Sequence, residues 1–107
     1  MSAPEVGLDV LAAAIDDGGY VLDVREPDEF AEARIPEARP MPMRTVPDRQ
    51  AELPRDEPVY VVCAVGGRSR QVADYLHQLG VDTYNVSGGV MAWAHAGRPM
   101  ETGQPST

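Results

Sequence analysis

Residues 59–70 read VYVVCAVGGRSR. Pro58 introduces a run that is apolar at successive positions, Val59 to Cys63, as expected of a strand covered on both faces in the middle of a parallel sheet. Gly66 and Gly67 break the run. From Ser69 to about Leu79, Val72, Tyr75, Leu76 and Leu79 share one helical face, and Gly80 stops the helix. Periodicity alone does not separate a short buried strand from a buried helix, so the segments on either side have to decide.

Toward the N-terminus, Asp9 to Asp17 predicts a helix with Asp9 as N-cap, an apolar stripe of Val10, Leu11, Ala14 and Ile15, and a stop at Gly18-Gly19. Tyr20 to Leu22 follows as a second covered strand. Pro27 then stands at the first turn of a short helix whose early acids suit its positive end. Pro36, Pro40, Pro42 and Pro47 allow only short extended pieces and one brief helix, near Asp48 to Leu53. Toward the C-terminus, Thr83 to Val86 predicts a third strand, and Val90, Met91 and Trp93 sit on a last helix closed by Gly97. Residues 102–107 read as a frayed tail. Strands alternating with helices predict an α/β fold with a mainly parallel sheet, and 107 residues suffice for one domain. In such sheets ligands gather at the carboxyl ends of the strands, where Asp23 and Cys63 both fall.

Composition removes several functions. The net charge is −8 and all nine basic residues are arginine, which argues against a nucleic-acid or anionic-membrane partner. Five of the nine (Arg34, Arg39, Arg44, Arg49, Arg55) are interleaved with Glu37, Asp48 and Glu52, as on a solvated, self-compensated surface. One cysteine excludes an internal disulfide, a Cys-x-x-Cys pair and a zinc cluster, and Cys63 with His77 and His95 makes a poor metal set. No apolar stretch approaches the ~20 residues a bilayer span needs. The N-terminus has no basic segment followed by an apolar one, so the expected location is cytoplasmic, where a thiol stays reduced.

A lone cysteine is often just a small core hydrophobe. Here its surroundings suit a thiolate instead. A free thiol has a pKa of about 8.5, and a helix N-terminus or a neighbouring cation lowers it to roughly 3.5–7.5. The glycines let the loop Ala64, Val65, Gly66, Gly67, Arg68 curl so that successive N–H groups face the sulfur. The helix expected from Ser69 adds its dipole, Ser69 is a suitable N-cap, and Arg68 brings a planar donor fork for an oxyanion.

The stretch CAVGGRS resembles the active-site loop of the rhodanese homology domain, a Cys-x-x-Gly-x-Arg-Ser pattern. LDVREPDEF resembles that family's Asp-Val-Arg signature, RIPEA its Gly-His-Ile-Pro-Gly-Ala segment, and VSGGVMAWAHAGRPME its Gly-Gly, Trp and Gly-x-Pro ending. The match runs over about residues 5–101. It implies a three-layer α/β/α domain and a sulfurtransferase without metal or organic cofactor. Cys63 would take a sulfane sulfur from a donor such as thiosulfate and pass it, through a persulfide, to cyanide, a thiol or an acceptor protein. Carried over by position, Ala64, Val65, Gly66, Gly67, Arg68 and Ser69 would cradle the outer sulfur, with Arg68 also holding the loop and attracting an anionic donor. Ala64 and Val65 suggest an open, slightly apolar mouth, with charge selection left to Arg68 and Arg70. Ala33-Arg34 replaces the family's Gly-His pair, and Glu37 stands where the family has glycine. If that position requires positive φ, Glu37 costs about a kilocalorie per mole or changes the turn.

Rival readings make different demands. A phosphatase or arsenate reductase loop uses Cys-x5-Arg around a tetrahedral oxyanion, whereas Cys63 to Arg68 spans Cys-x4-Arg, a smaller cradle. Arsenate reduction ending in an internal disulfide also needs a second cysteine. A non-catalytic binding module of this family typically lacks the cysteine that this chain keeps. Asp23 and Arg25 are expected to support the site structurally, Asp23 capping backbone donors and Arg25 pairing with an acid such as Glu29. His77 is expected in solvent, Trp93 and Tyr75 in the core, and Gly88-Gly89 beside the site.

Overall fold

The computed structural model describes residues 2–103. Its elements run β1 (Glu5–Val6), α1 (Leu8–Asp16), β2 (Tyr20–Asp23), α2 (Pro27–Glu32), β3 (Ala33–Arg34), β4 (Arg39–Pro40), α3 (Val46–Arg49), β5 (Val59–Val62), α4 (Gly67–Gln78), β6 (Thr83–Val86), α5 (Gly89–His95) and β7 (Glu101–Thr102). Single 3-10 turns flank α3 at Met43–Thr45 and Gln50–Glu52. Five strands form a sheet in the order β1-β6-β5-β2-β4, and every pairing in it is parallel. β5 is therefore central, as its unbroken apolar run requires.

The pleat divides β5 and β2 between two cores. Val59, Val61 and Cys63, with Leu22 and Val24, face Val46 of α3 and Val72, Ala73 and Leu76 of α4. Val62 and Val21 face the other way, against Leu11 of α1 and Val90 and Trp93 of α5. These two cores make the three layers. Register completes the placement: Asp23 pairs with Val62, so Cys63 begins just past the end of β2.

Several sequence expectations shift. Gly7, not Asp9, caps α1; Asp9 lies in the first turn and pairs with Arg98 at 2.7 Å. Val10 is exposed rather than part of the stripe. α4 begins two residues earlier than Ser69, and its outer positions Tyr75 and Leu79 are exposed, leaving Val72, Ala73 and Leu76 to bury its face. Thr102, expected as the first residue of the tail, is instead part of a ribbon in which Glu101–Thr102 pairs antiparallel with Ala33–Arg34. The remaining tail residues, 104–107, lie outside the described ones.

Arg34 explains that extra ribbon. It is buried, donates to the carbonyls of Phe30 (3.2 Å) and Gly103 (2.6 Å), lies over the Phe30 ring and pairs with Glu101 at 3.6 Å. It is thus a tie between distant segments and not one of a solvated set. Of the other central arginines, Arg49 pairs with Glu52, one of the interleaved acids, whereas Arg44 pairs with Glu26 and Arg39 stacks on Tyr20.

Glu37 adopts φ 69°, the one non-glycine residue with positive φ among those described. The turn is kept and the side chain carries the strain. Left-handed backbone costs an ordinary residue about 1–2 kcal/mol, while glycine gives back roughly 0.5–1 kcal/mol through its looser unfolded chain. Glu37→Gly should therefore stabilise the protein by about 0.5–1 kcal/mol. Urea titration checks this through a higher midpoint at unchanged slope; an unchanged or lower midpoint would show that the turn is not strained.

Candidate active site at the β5–α4 loop

β5 delivers Cys63 to the carboxyl edge of the sheet, and Gly66, at φ 114°, turns the chain into α4 as its N-cap. The Gly66 amide donates to Cys63 Sγ at 3.1 Å. Cys63 is 1% exposed. Burial pushes its thiol up, but the Ser69 hydroxyl and the amides of Ser69, Gly66 and Val65 together outweigh that and hold it below the ordinary value. Ser69 is the third residue of α4 and not its cap, so its amide points back at the sulfur. Its hydroxyl is fully buried and turned toward the Cys63 sulfur, with no other partner among the described residues.

The loop is held from behind. Val90 N–H donates to the Cys63 carbonyl at 2.9 Å, and Met91 N–H to the Ala64 carbonyl at 3.0 Å. A Cβ on Gly89 (φ 59°) would collide with the Cys63 carbonyl oxygen and come within 2.8 Å of that of Ala64. Gly88-Gly89 thus lies beside the loop, as its sequence position suggests. A second tie comes from Asn85, whose Nδ2 donates to Glu5 at 2.9 Å and to the Gly66 carbonyl at 3.4 Å. Glu5 also accepts from Ser87 at 2.8 Å and from Arg70, and these donors, Ser87 foremost, keep its carboxyl low. Neither Glu5 nor Asn85 carries a sequence signal, because their meeting depends on β1 pairing with β6.

Arg25 is not paired with Glu29. Its Nη2 and Nε bond Asp23 at 2.9 and 3.1 Å, its backbone N–H also donates to Asp23 at 3.0 Å, and Nη2 reaches the Ala33 carbonyl at 2.8 Å. Two residues apart at a strand end, they fold back on each other, so Asp23 does cap a backbone donor but takes the guanidinium as well. Glu29 instead grips Arg68 at two points, 2.8 and 3.0 Å. The Arg68 hydrogen bonds hold the Glu29 carboxyl at about 2, despite the burial that opposes them. Arg70 is engaged by Glu5 and, at 3.7 Å, by Asp74. Gly67 and Val65 are exposed on the outer side of the loop. Trp93 is in the core as expected, Tyr75 is not, and His77 is half-buried with an unpartnered Nδ1.

The family described as Rhodanese-like domain matches residues 8–96. A protein of Allochromatium vinosum named "Sulfurtransferase" is 41% identical over 81 residues, covering 75% of this chain and 76% of its own. "Thiosulfate sulfurtransferase GlpE" of Pseudomonas putida is 41% identical over 91 residues, 82% of this chain and 80% of that one. Among solved structures, a rhodanese-related protein of Thermoplasma volcanium superposes with a TM-score of 0.86 at 32% identity, over 92% of this chain and 97% of that one.

The donor set gives a direct expectation for the thiol. Its folded pKa lies below the unfolded one, so the thiolate's contribution to stability is full above the ordinary thiol pKa and is lost as pH falls through the folded value. Thiolate absorbance at 240 nm should titrate with a midpoint below that of an unfolded cysteine peptide. Ser69→Ala should move the midpoint up. A midpoint at or above the peptide's would mean that burial wins.

Proposed function

Because this chain belongs to the rhodanese-like domain family, we propose that it is a sulfurtransferase that carries sulfane sulfur on Cys63. The observation that carries the reading is the Cys63 sulfur facing the Gly66 amide at 3.1 Å inside a loop whose donors lower its pKa. Likeness to proteins named sulfurtransferase and thiosulfate sulfurtransferase supports the same chemistry.

Two displacements make up the cycle. The Cys63 thiolate attacks the outer sulfur of thiosulfate; the S–S bond breaks, sulfite leaves with the electron pair, and Cys63 holds a persulfide. An acceptor nucleophile then attacks the outer sulfur, and Cys63 leaves as thiolate. The new sulfur lies about 2.05 Å beyond Sγ, within the amides of Ala64 to Ser69. A buried thiol and so small a cradle favour a single transferred atom over a tetrahedral phosphate. Arg68 holds the loop to α2 through Glu29. With one cysteine in the chain, no second thiol can resolve the persulfide, so the sulfur goes to an outside acceptor: cyanide, a small thiol or an acceptor protein. The chemistry calls for no metal or organic cofactor.

Incubation with thiosulfate should raise the intact mass by one sulfur atom, a gain reversed by dithiothreitol and missing in Cys63→Ser. Steady-state kinetics with cyanide should follow a ping-pong pattern. No adduct with any sulfane donor would overturn the reading, and hydrolysis of a phosphate ester in its place would favour a phosphatase. Retention of a co-purifying partner by both wild type and Cys63→Ser, with no transfer, would favour a binding module.

A further inference from the structure

We propose that Glu29 sets donor selectivity: by gripping Arg68 at two points it withholds the loop's cation from anionic donors, so that sulfane sulfur on a zwitterionic or cationic carrier is used in preference to dianionic thiosulfate. The proposal rests on the sulfurtransferase reading and deepens it.

Three arginines lie close to the loop in sequence or space, and each is engaged by a carboxylate: Arg25 by Asp23, Arg68 by Glu29, and Arg70 by Glu5 and Asp74. Beside them Glu32 is exposed and, among the described residues, has no ion-pair partner. Glu29 and Glu32 together line a cavity of about 270 Å³ that meets the loop at Ala64, next to Cys63, with Arg25, Met91 and His95 on its other walls. Counted with their ion-pair partners Asp23 and Arg68, the carboxylates Asp23, Glu29 and Glu32 outnumber the guanidiniums Arg25 and Arg68 by one, and the reacting thiolate adds another negative charge nearby. Bringing in thiosulfate adds two more. A donor with an ammonium group on its carrier adds none in sum, and the ammonium can face Glu29 and Glu32.

The displacement is the same for every donor compared. For a thiosulfonate R–SO2–S⁻, the Cys63 thiolate attacks the outer sulfur, the S–S bond breaks, and the sulfinate R–SO2⁻ leaves with the electron pair. Atoms and charge balance without any added oxidant or reductant. Donor charge is what varies: 2-aminoethanethiosulfonate is net neutral, ethanethiosulfonate carries −1 and thiosulfate −2.

The test measures kcat/KM with cyanide for these three donors, over a range of salt, in wild type and Glu29→Gln. Glutamine keeps an oxygen for the Glu26 amide that now donates to Glu29. Glu29→Gln should raise kcat/KM roughly tenfold for thiosulfate and about threefold for the monoanion, since Coulomb energy scales with donor charge, and should not raise it for the zwitterion, whose ammonium loses a carboxylate partner. In wild type, thiosulfate kcat/KM should rise with ionic strength, because salt screens a repulsion. Glu32→Gln should shift thiosulfate the same way by a smaller factor; it leaves Arg68 in place and carries the test should Glu29→Gln fold poorly. Thiosulfate kcat/KM that falls with salt, or variants that change all three donors equally, would overturn the proposal while leaving sulfur transfer intact. Failure of all three donors to load sulfur on wild-type Cys63 would overturn the sulfurtransferase reading itself.

Discussion

Two hydrogen bonds from the start of α5, to the carbonyls of Cys63 and Ala64, fix which way the loop between β5 and α4 faces. In a tight loop, carbonyls drawn to one side leave the neighbouring N–H groups on the other. Here the carbonyls turn toward α5, and the amides of Val65, Gly66 and Ser69 turn toward the sulfur. The clasp requires backbone to approach backbone, which is why no side chain fits at Gly89. It also requires α5 to begin where β5 ends, and the parallel pairing of β5 with β6 arranges that. Sheet register, glycine and the lowered thiol pKa are therefore one chain of cause. A substitution at Gly89 would act on the sulfur without touching it.

Ion pairs fasten the loop's outer side. The buried Asp23–Arg25 pair ties the end of β2 to Ala33, and Arg68–Glu29 ties the first turn of α4 to α2. Arg68–Glu29 is partly solvated, and such pairs contribute little to global stability, about 0–1 kcal/mol. Its consequence is electrostatic and geometric. It cancels a cation beside the site and sets the spacing of two elements that frame the mouth. The buried pair has a different character, since removing either partner would leave a buried charge uncompensated.

The elements that carry the site were legible because local chemistry dictates them. The continuous apolar run of β5, the two glycines and the amphipathic α4 announce themselves within one window, and Cys63 follows from the company it keeps. What stayed hidden depends on partners far along the chain. Glu29 was visible as a helix-start acid, but its pairing with Arg68 needs α2 folded beside α4. Arg25 offered two nearby acids, and only the geometry of the strand end chooses Asp23. The β3–β7 ribbon is two residues wide on each side, too short for any period to show, and Arg34 reads as one more surface arginine until Phe30, Glu101 and Gly103 surround it. Sequence places the start of α4 two residues late, because serine is a better cap by type than glycine. Yet only glycine readily adopts the φ of 114° that the turn out of β5 demands.

On the sulfurtransferase reading, a cradle of neutral dipoles has a kinetic advantage over a bare cation. The thiolate and the persulfide anion carry the same charge, displaced by one sulfur. Amides from Val65, Gly66 and Ser69 spread over that distance can stabilise either sulfur, so neither state becomes a deep well that slows the step leaving it. A free guanidinium at the mouth would bind thiosulfate and sulfite alike, and would lower the barrier to loading only to the extent that it gripped the transition state more tightly than either. With Arg68 held by Glu29, the loop keeps the dipoles that serve both half-reactions and gives up the charge that would serve only anionic donors. The buried Ser69 hydroxyl, a side-chain donor among backbone amides, is the one donor in the set able to rotate as the charge moves outward.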